Sequence, residues 1–194
     1  MARPREFDID EALEAAMGAF WGSGYEDTSL ADLMQAMGLQ KGSIYKAFGD
    51  KHALFLCALQ RYLDRGYEAQ RETLANATSP RAAIEAWLDR LVEAAPAEGG
   101  SCRGCLAVNT LIELGPHDHQ ARSVLEAHFA RLRRLLTEQI RRGQEQGEIR
   151  RDVDAAQCAR FLLTMVAGLL GSLKGATSKA EARRLAQTTL HLLG

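Results

Sequence analysis

Two short clusters of this chain carry side chains that could do chemistry. The first is Gln40, Lys41, Ser43, Tyr45 and Lys46, with Lys51 a little downstream. Amide, ammonium and hydroxyl groups at that density suit the edges of base pairs and the phosphates beside them. Gly42, in their midst, lets the backbone come close to a duplex. The second cluster is Cys102-Arg103-Gly104-Cys105. A thiolate is stabilised by a neighbouring cation and by the free amides at a helix start, so Cys105 beside Arg103 is a candidate reactive thiol. Zinc is not expected, because no second cysteine pair at ligand spacing follows and only His117 and His119 are near. Thioredoxin-like exchange needs a βαβ setting, and no strand pattern surrounds these cysteines. The reading therefore assigns neither a metal nor a cofactor. Cys57 and Cys158 lie in apolar helical stretches and read as inert core residues.

Helices must hold both clusters in place. Asp8 followed by Glu11 is a capping-box-like start, after which Ile9, Leu13, Ala16 and Phe20 recur at helical spacing. Gly22 and Gly24 stop that helix. Thr28 or Ser29 caps a second, with Leu30, Leu33, Met34 and Met37 on its inner face. Gly38 supplies a tight break. A short third helix from about Gln40 to Phe48 buries Leu39, Ile44 and Phe48, which turns the polar cluster outward. Asp50 caps a longer helix carrying Leu54, Phe55, Ala58, Leu59 and Tyr62. Further helices are expected near residues 80–95, where Pro80 opens the helix and Ile84, Trp87, Leu88 and Leu91 follow. After the loop from Ala97 to Ser101 come others near 104–114, 118–146, 154–174 and 178–193. No alternating strand pattern and no internal repeat is present. The expected fold is all-α with about nine helices: a three-helix helix-turn-helix unit over residues 1–50 and a helical effector-binding and dimerisation domain over 51–194.

Composition neither adds to this nor opposes it. The 194 residues are 46% hydrophobic and 25% charged, ordinary for a soluble folded chain. Net charge is −1, and residues 1–51 hold five cations (Arg3, Arg5, Lys41, Lys46, Lys51) against nine anions. A nucleic-acid partner must therefore be argued from where the cations sit, since only those facing phosphates release counterions. No targeting segment is visible, and the apolar run Phe161–Leu173 is shorter than the roughly 20 residues a membrane span needs. The expectation is a soluble, cytoplasmic protein without a membrane partner. Four cysteines in a chain of this length do not make a disulfide scaffold, so reduced thiols are expected.

Two short helices joined at a glycine and braced by a third form a helix-turn-helix, whose second helix can enter the major groove. In that setting the Tyr45 hydroxyl can reach a phosphate. Lys51 and the amides of its helix start can share another. Arg3 and Arg5 can enter a neighbouring minor groove. The literal string sharpens this reading. It contains Gly-Tyr-x₂-Thr-Ser from Gly24, Gly-Leu-x-Lys-Gly-Ser-Ile-Tyr from Gly38, and Phe-x-Asp-Lys-x₂-Leu-Phe from Phe48. Over about residues 8 to 56 it closely resembles the DNA-binding domain of TetR/AcrR-type transcriptional regulators. The resemblance implies that Thr28, Lys41, Gly42, Ser43, Tyr45, Lys46 and Lys51 take the family's DNA-contact positions. It also implies a helical effector domain and a homodimer paired through the last two helices. Ala167, Gly171 and Gly175, spaced four apart, read as a small-residue face that permits such pairing.

The string from Gly104-Cys-Leu to Glu113 resembles a branch of the family that responds to electrophiles or oxidants. There a cysteine opens a central helix and a lysine of the penultimate helix lies close to it. Lys174 takes the similar place here. Acrylate-responsive relatives share the string, so a thiol sensor and a reversible small-molecule ligand both stay open. Cys102 departs from the pattern, as a resolving thiol or a bystander. An effector pocket is expected among the middle helices, lined by Trp87, Leu91, Cys105, Asn109, Phe129, Phe161 and Met165. The helix over residues 50–72 is the candidate lever between the halves. The arginines at 131, 133, 134, 141 and 142 read as a solvated helix face, and His117-Asp-His119 as loop and cap chemistry. The expected function is a repressor that leaves a palindromic operator when its effector arrives. A cysteine-dependent enzyme is the alternative from another class, and it lacks a base to pair with its nucleophile.

Overall fold

The computed structural model describes residues 7–93, 102–175 and 177–194. Arg3, Arg5 and the loop Ala97–Ser101 lie outside the described residues. Among the described residues the chain forms nine α-helices and no strand. Helices α1 (Ile9–Ser23), α2 (Leu30–Met37) and α3 (Lys41–Phe48) fold against the first half of α4 (Lys51–Ala75). The rest of the described chain comprises α5 (Pro80–Glu93), α6 (Leu106–Glu113), α7 (His119–Gln146), α8 (Ala155–Ser172) and α9 (Lys179–Leu193).

Short polar side chains set where the early helices begin. The Asp8 carboxylate accepts the amides of Asp10 at 2.7 Å and Glu11 at 3.2 Å, meeting two of the donors a helix start leaves free. Ser29, rather than Thr28, caps α2 in a capping box with Asp32, and Asp50 caps α4 through Ala53 N. Gly38 closes α2 at φ 64. Asp118 caps α7, as the cap reading of the His117-Asp-His119 segment requires.

Two apolar cores follow from the helical stripes. The first gathers Phe20, Leu33, Ile44, Leu54, Phe55 and Leu59, and it also takes in Leu106, Leu114 and Leu125 from α6, its end and α7. The three N-terminal helices thus share their core with α6 and α7. Aromatic rings tighten it: Phe20 meets Phe55 edge-on at 5.1 Å and Tyr25 packs on Phe55 at 4.9 Å. Arg61 of α4 pairs with Asp10 and Glu14 of α1, and Arg65 pairs with Glu14, lacing the two helices together. The second core lies among α5, α7, α8 and α9, around Trp87, Leu88, Ile140, Leu162, Leu169 and Ala186.

Several expectations are corrected by this packing. Cys57 is exposed rather than buried, because it flanks the buried Leu54, Phe55, Ala58 and Leu59 of α4 on the solvent side. Cys158 is half-buried at the edge of the second core, where desolvation pushes its thiol up. Arg131 is not on a solvated face: it pairs with Asp64 at 2.7 Å and stacks on Tyr67 at 3.8 Å. Of the expected small-residue face, Ala167 lines a cavity and a methyl at Gly171 would lie 3.9 Å from Val108 of α6, so both face inward, while Gly175, beyond the helix, is exposed. The outer face of α8 instead carries Phe161, 50% exposed. Taken whole, α8 has 18 residues of mean hydropathy 1.3, enough by length and composition for a membrane span. Its Ala155, Ala159, Leu162, Val166 and Leu169 are buried in the second core.

Candidate functional site

The outward face of α3 keeps the polar cluster together. Ile44 is fully buried and anchors the helix, while Gln40, Lys41, Tyr45 and Lys46 are exposed and Ser43 is half-exposed. Gln40 occupies the cap position without making a cap bond, so its amide is free. Lys41 Nζ lies 5.3 Å from the centre of the Tyr45 ring, one helical turn away. Nothing lies within 4 Å of where a side chain at Gly42 would start, so its smallness serves no packing within the chain. Neither Lys41 nor Lys46 has an ion-pair partner among the described residues.

Three details differ from the sequence reading. Thr28 is 1% exposed and its hydroxyl donates to Gly24 O at 2.5 Å, so it positions the turn before α2 and offers no donor to a phosphate. Lys51 lies over the Tyr25 ring at 4.4 Å and 3.4 Å from Glu26 O, docked on the same turn. The Asp50 carboxylate already occupies the start of α4, at 2.7 Å from Ala53 N. That amide is therefore not open for Lys51 to share with a phosphate.

A cavity of about 220 Å³ lies between α4, α5, α6, α7 and α8. Of the expected residues, Trp87, Leu91, Cys105 and Phe129 line it. Phe161 and Met165 do not, because α8 turns Leu163, Val166, Ala167 and Leu170 inward. Asn109 and Lys174 lie in a shallower depression beside Trp21 and Glu113. Asn109 spends its amide on Arg103 O at 2.8 Å. Cys105 is the cap residue of α6, with no cap bond from its sulfur, and Tyr62 Oη donates to that sulfur at 3.5 Å. Burial is the main reason the Tyr62 phenol is pushed up, so it stays a donor. Gly104 takes φ +67, which disfavours other residues, and a methyl there would crowd Lys174 Cγ at 3.0 Å. The Lys174 stem thus runs directly over the loop that ends in Cys105.

The cavity wall is tied to the α1–α2 region at both ends of α6. At one end, Trp21 Nε1 donates to Gly104 O at 3.0 Å, with the Arg103 guanidinium 4.5 Å over the indole. At the other, the Glu113 carboxylate accepts the amides of Tyr25 at 3.2 Å and Glu26 at 2.8 Å. Gly24, at φ +90, permits this approach, since a methyl there would meet Glu113 Oε2 at 2.9 Å. Sequence reasoning missed Trp21, Glu113, Gln70 and His128. Only His128 left a signal, as a polar residue inside the stripe Ala121, Leu125, Leu132, Leu136. Burial holds its imidazole down at about 4, so the ring is neutral near pH 7.

The comparisons with known proteins agree with this geometry. Residues 12–58 match the family described as bacterial regulatory proteins, tetR family, and residues 78–189 match the tetracyclin repressor-like C-terminal domain. The chain belongs to the TetR family. It is a DNA-binding transcriptional regulator and not an enzyme. The HTH-type transcriptional repressor ComR of Escherichia coli (strain K12) is 32% identical over 192 residues, covering 98% of this chain and 90% of the relative. The repressor BdcR of the same strain is 28% identical over 170 residues, covering 86% and 79%. Among solved structures, a cysteine mutant of the TetR family regulator CifR, complexed with 26-bp double-strand operator DNA, superposes with a TM-score of 0.87 at 33% identity over the whole of both chains. The reduced form of Escherichia coli NemR has the same fold, with a TM-score of 0.87 at 19% identity over 95% of this chain and 96% of that one.

Proposed function

We propose that this regulator is a cytoplasmic homodimeric repressor that holds a palindromic double-stranded operator and releases it when a small molecule enters the cavity. Residues 1–50 form its DNA-binding part, and residues 51–194 take the effector and pair two copies. The observation that carries this reading is the attachment of α6. α6 and the residues leading into it line the cavity with Cys105, Ala107 and Val108 and hold the α1–α2 region through Gly104 and Glu113. A ligand that shifts α6 must move α1 and the reading helix with it. How far the population shifts is limited by the ligand's preference for one of the two conformations. That makes α6, rather than α4 alone, the transmitting element. The repressor ComR and the operator-bound CifR mutant support the DNA half of the proposal. Phe161, Leu185 and Leu192, exposed on α8 and α9, support the paired half.

Selection of bound sites from random DNA tests it. The recovered sequences are expected to be palindromes, with half-sites about one helical turn, 34–36 Å, or a multiple of that apart. Recovery of unrelated or single half-site sequences would overturn the reading.

A second reading makes Cys105 the sensor, and one observation favours it. The sulfur lines the cavity, holds the Tyr62 hydroxyl, and ends the loop crossed by Lys174. Addition to a quinone forms a C–S bond, and the thiol proton passes to the quinone oxygen. Quinone is then expected to release DNA from the wild type and not from Cys105→Ser. Equal release from both proteins excludes the thiol and leaves a reversible ligand.

A further inference from the structure

The cavity that the reading above takes as the effector site has an unusual polar inventory. Among the described residues that line it, none is Asp, Glu, Lys or Arg. The polar groups on its wall are nearly all in use. Trp87 Nε1 donates to Gln70 Oε1 at 2.8 Å, Trp21 Nε1 to Gly104 O at 3.0 Å, and Tyr62 Oη to Cys105 Sγ at 3.5 Å. Among the buried ones, His128 is the exception. It is 7% exposed, and its Nδ1 is the one buried side-chain polar atom without a hydrogen-bond partner among the described residues. A neutral imidazole carries one donor and one acceptor, and buried groups of that kind are normally paired. The ring lies edge-on to Phe129, 5.6 Å between centres, on a helix face whose other buried residues include Leu125 and Leu132, so it stands as a polar point on an apolar wall. The nearest charges, Arg131 and Asp64, neutralise each other across a 2.7 Å pair.

We infer that the cavity takes an uncharged, mainly apolar ligand bearing one carbonyl or hydroxyl oxygen, which pairs with the His128 imidazole. Size follows from volume. An apolar cavity of about 150 Å³ accepts benzene, so the larger space here suits a molecule of on the order of ten non-hydrogen atoms. A carboxylate or an ammonium is rejected, because burying a charge without a partner is costly and no described lining residue supplies one. His128 fixes where the oxygen sits, and Trp87, Leu132 and Val166 enclose the apolar body. Cys105 then lies on the wall of the same space.

Four molecules of similar shape test the assignment: ethylbenzene, acetophenone, 1-phenylethanol and benzoate. Their binding to the full chain is read by calorimetry and by tryptophan fluorescence, without DNA. Acetophenone or 1-phenylethanol is expected to bind the wild type about tenfold more tightly than ethylbenzene, the factor that one buried hydrogen bond supplies. Benzoate is expected to bind far more weakly. The preference for oxygen should vanish in His128→Phe and partly return in His128→Gln, with thermal melts confirming that both variants fold. Equal binding of ethylbenzene and the two oxygen compounds, tighter binding of benzoate, no binding of any of the four, or a preference that survives His128→Phe would each overturn the assignment. Because the wild-type ranking needs no variant, misfolding of one does not rescue the idea. Operator release is measured separately. Correct ranking without release would overturn the effector role and leave the cavity assignment standing, while release by another compound with the ranking absent would do the reverse.

Discussion

Thr28 and Tyr45 both carry hydroxyls close to the reading helix, yet only Tyr45, 38% exposed, is free to meet DNA. Thr28→Val removes the bond to Gly24 O and leaves that carbonyl unmet, so a loss of about 1 kcal/mol is expected in denaturant titrations. On α3 and at the start of α4 the polar groups divide by chemistry. Tyr45→Phe and Lys51→Ala should weaken binding to operator and random DNA alike, Lys51→Ala lowering the salt dependence by about one phosphate. Gln40→Ala and Lys46→Ala should in addition change which bases are preferred, measured by competition with single-base operator variants. Equal losses on both kinds of DNA for all four substitutions would refute this division of labour. His128 contributes at the same scale through its proton. Its folded value of about 4 lies below the roughly 6.5 of an unfolded histidine. Stability from its burial is therefore complete above about pH 6.5 and is lost as pH falls towards 4, on the order of 3 kcal/mol in all. Melting curves of His128→Gln should lack that component, and a wild-type pH profile that the substitution leaves unchanged would contradict it.

The helix is the unit at which coupling is built. α6 is eight residues long, and its two attachments to the α1–α2 region come from different elements. Glu113→Gln keeps one acceptor and Trp21→Phe keeps the ring packing, so both should fold. Each is expected to lower the ratio of operator affinities without and with effector several-fold, because coupling depends on the contacts that differ between the two states. A ratio unchanged in both variants would shift the transmission to α4. At α2, the capping box lets the Ser29 hydroxyl and amide hold the Asp32 carboxyl below its usual range. Its contribution is present above the ordinary carboxylate value near 3.9 and is lost as pH falls below it, so Asp32→Asn should cost stability at pH 7 and almost none near pH 2. These elements differ in how far the sequence reveals them. The stripes through Phe20, Ile44 and Leu54 were legible because helical periodicity and capping residues are local. Which face of α8 meets α6 was not, because buried Leu162 and half-exposed Phe161 are adjacent in the chain, and tertiary packing chooses between them. The Glu113 and Trp21 bonds span more than 80 residues, beyond any local pattern.

At the scale of the whole molecule, charge favours the proposed pairing of two copies. One copy has a net charge of −1 and presents Lys41, Lys46 and Lys51 around its reading helix. Three phosphate contacts give a logarithmic salt slope of only about −3, which is weak binding at physiological salt. Two copies on one duplex double that slope, and the second reading helix binds at the high effective concentration the first creates. The surface that would join them is apolar and uncovered: Phe161 on α8 is 50% exposed, and Leu185 and Leu192 on α9 are 47% and 57% exposed. Placing charge there should separate the copies while leaving the reading unit intact. Phe161→Glu combined with Leu185→Glu is expected to sediment as a monomer, with unchanged helical content. Its salt slope should fall to about half the wild-type value, and its preference for a palindrome over a single half-site should disappear. A variant that stays dimeric would place the interface on another face. A monomer that keeps the full slope and the palindrome preference would mean that one reading helix suffices, against the arithmetic of three lysines.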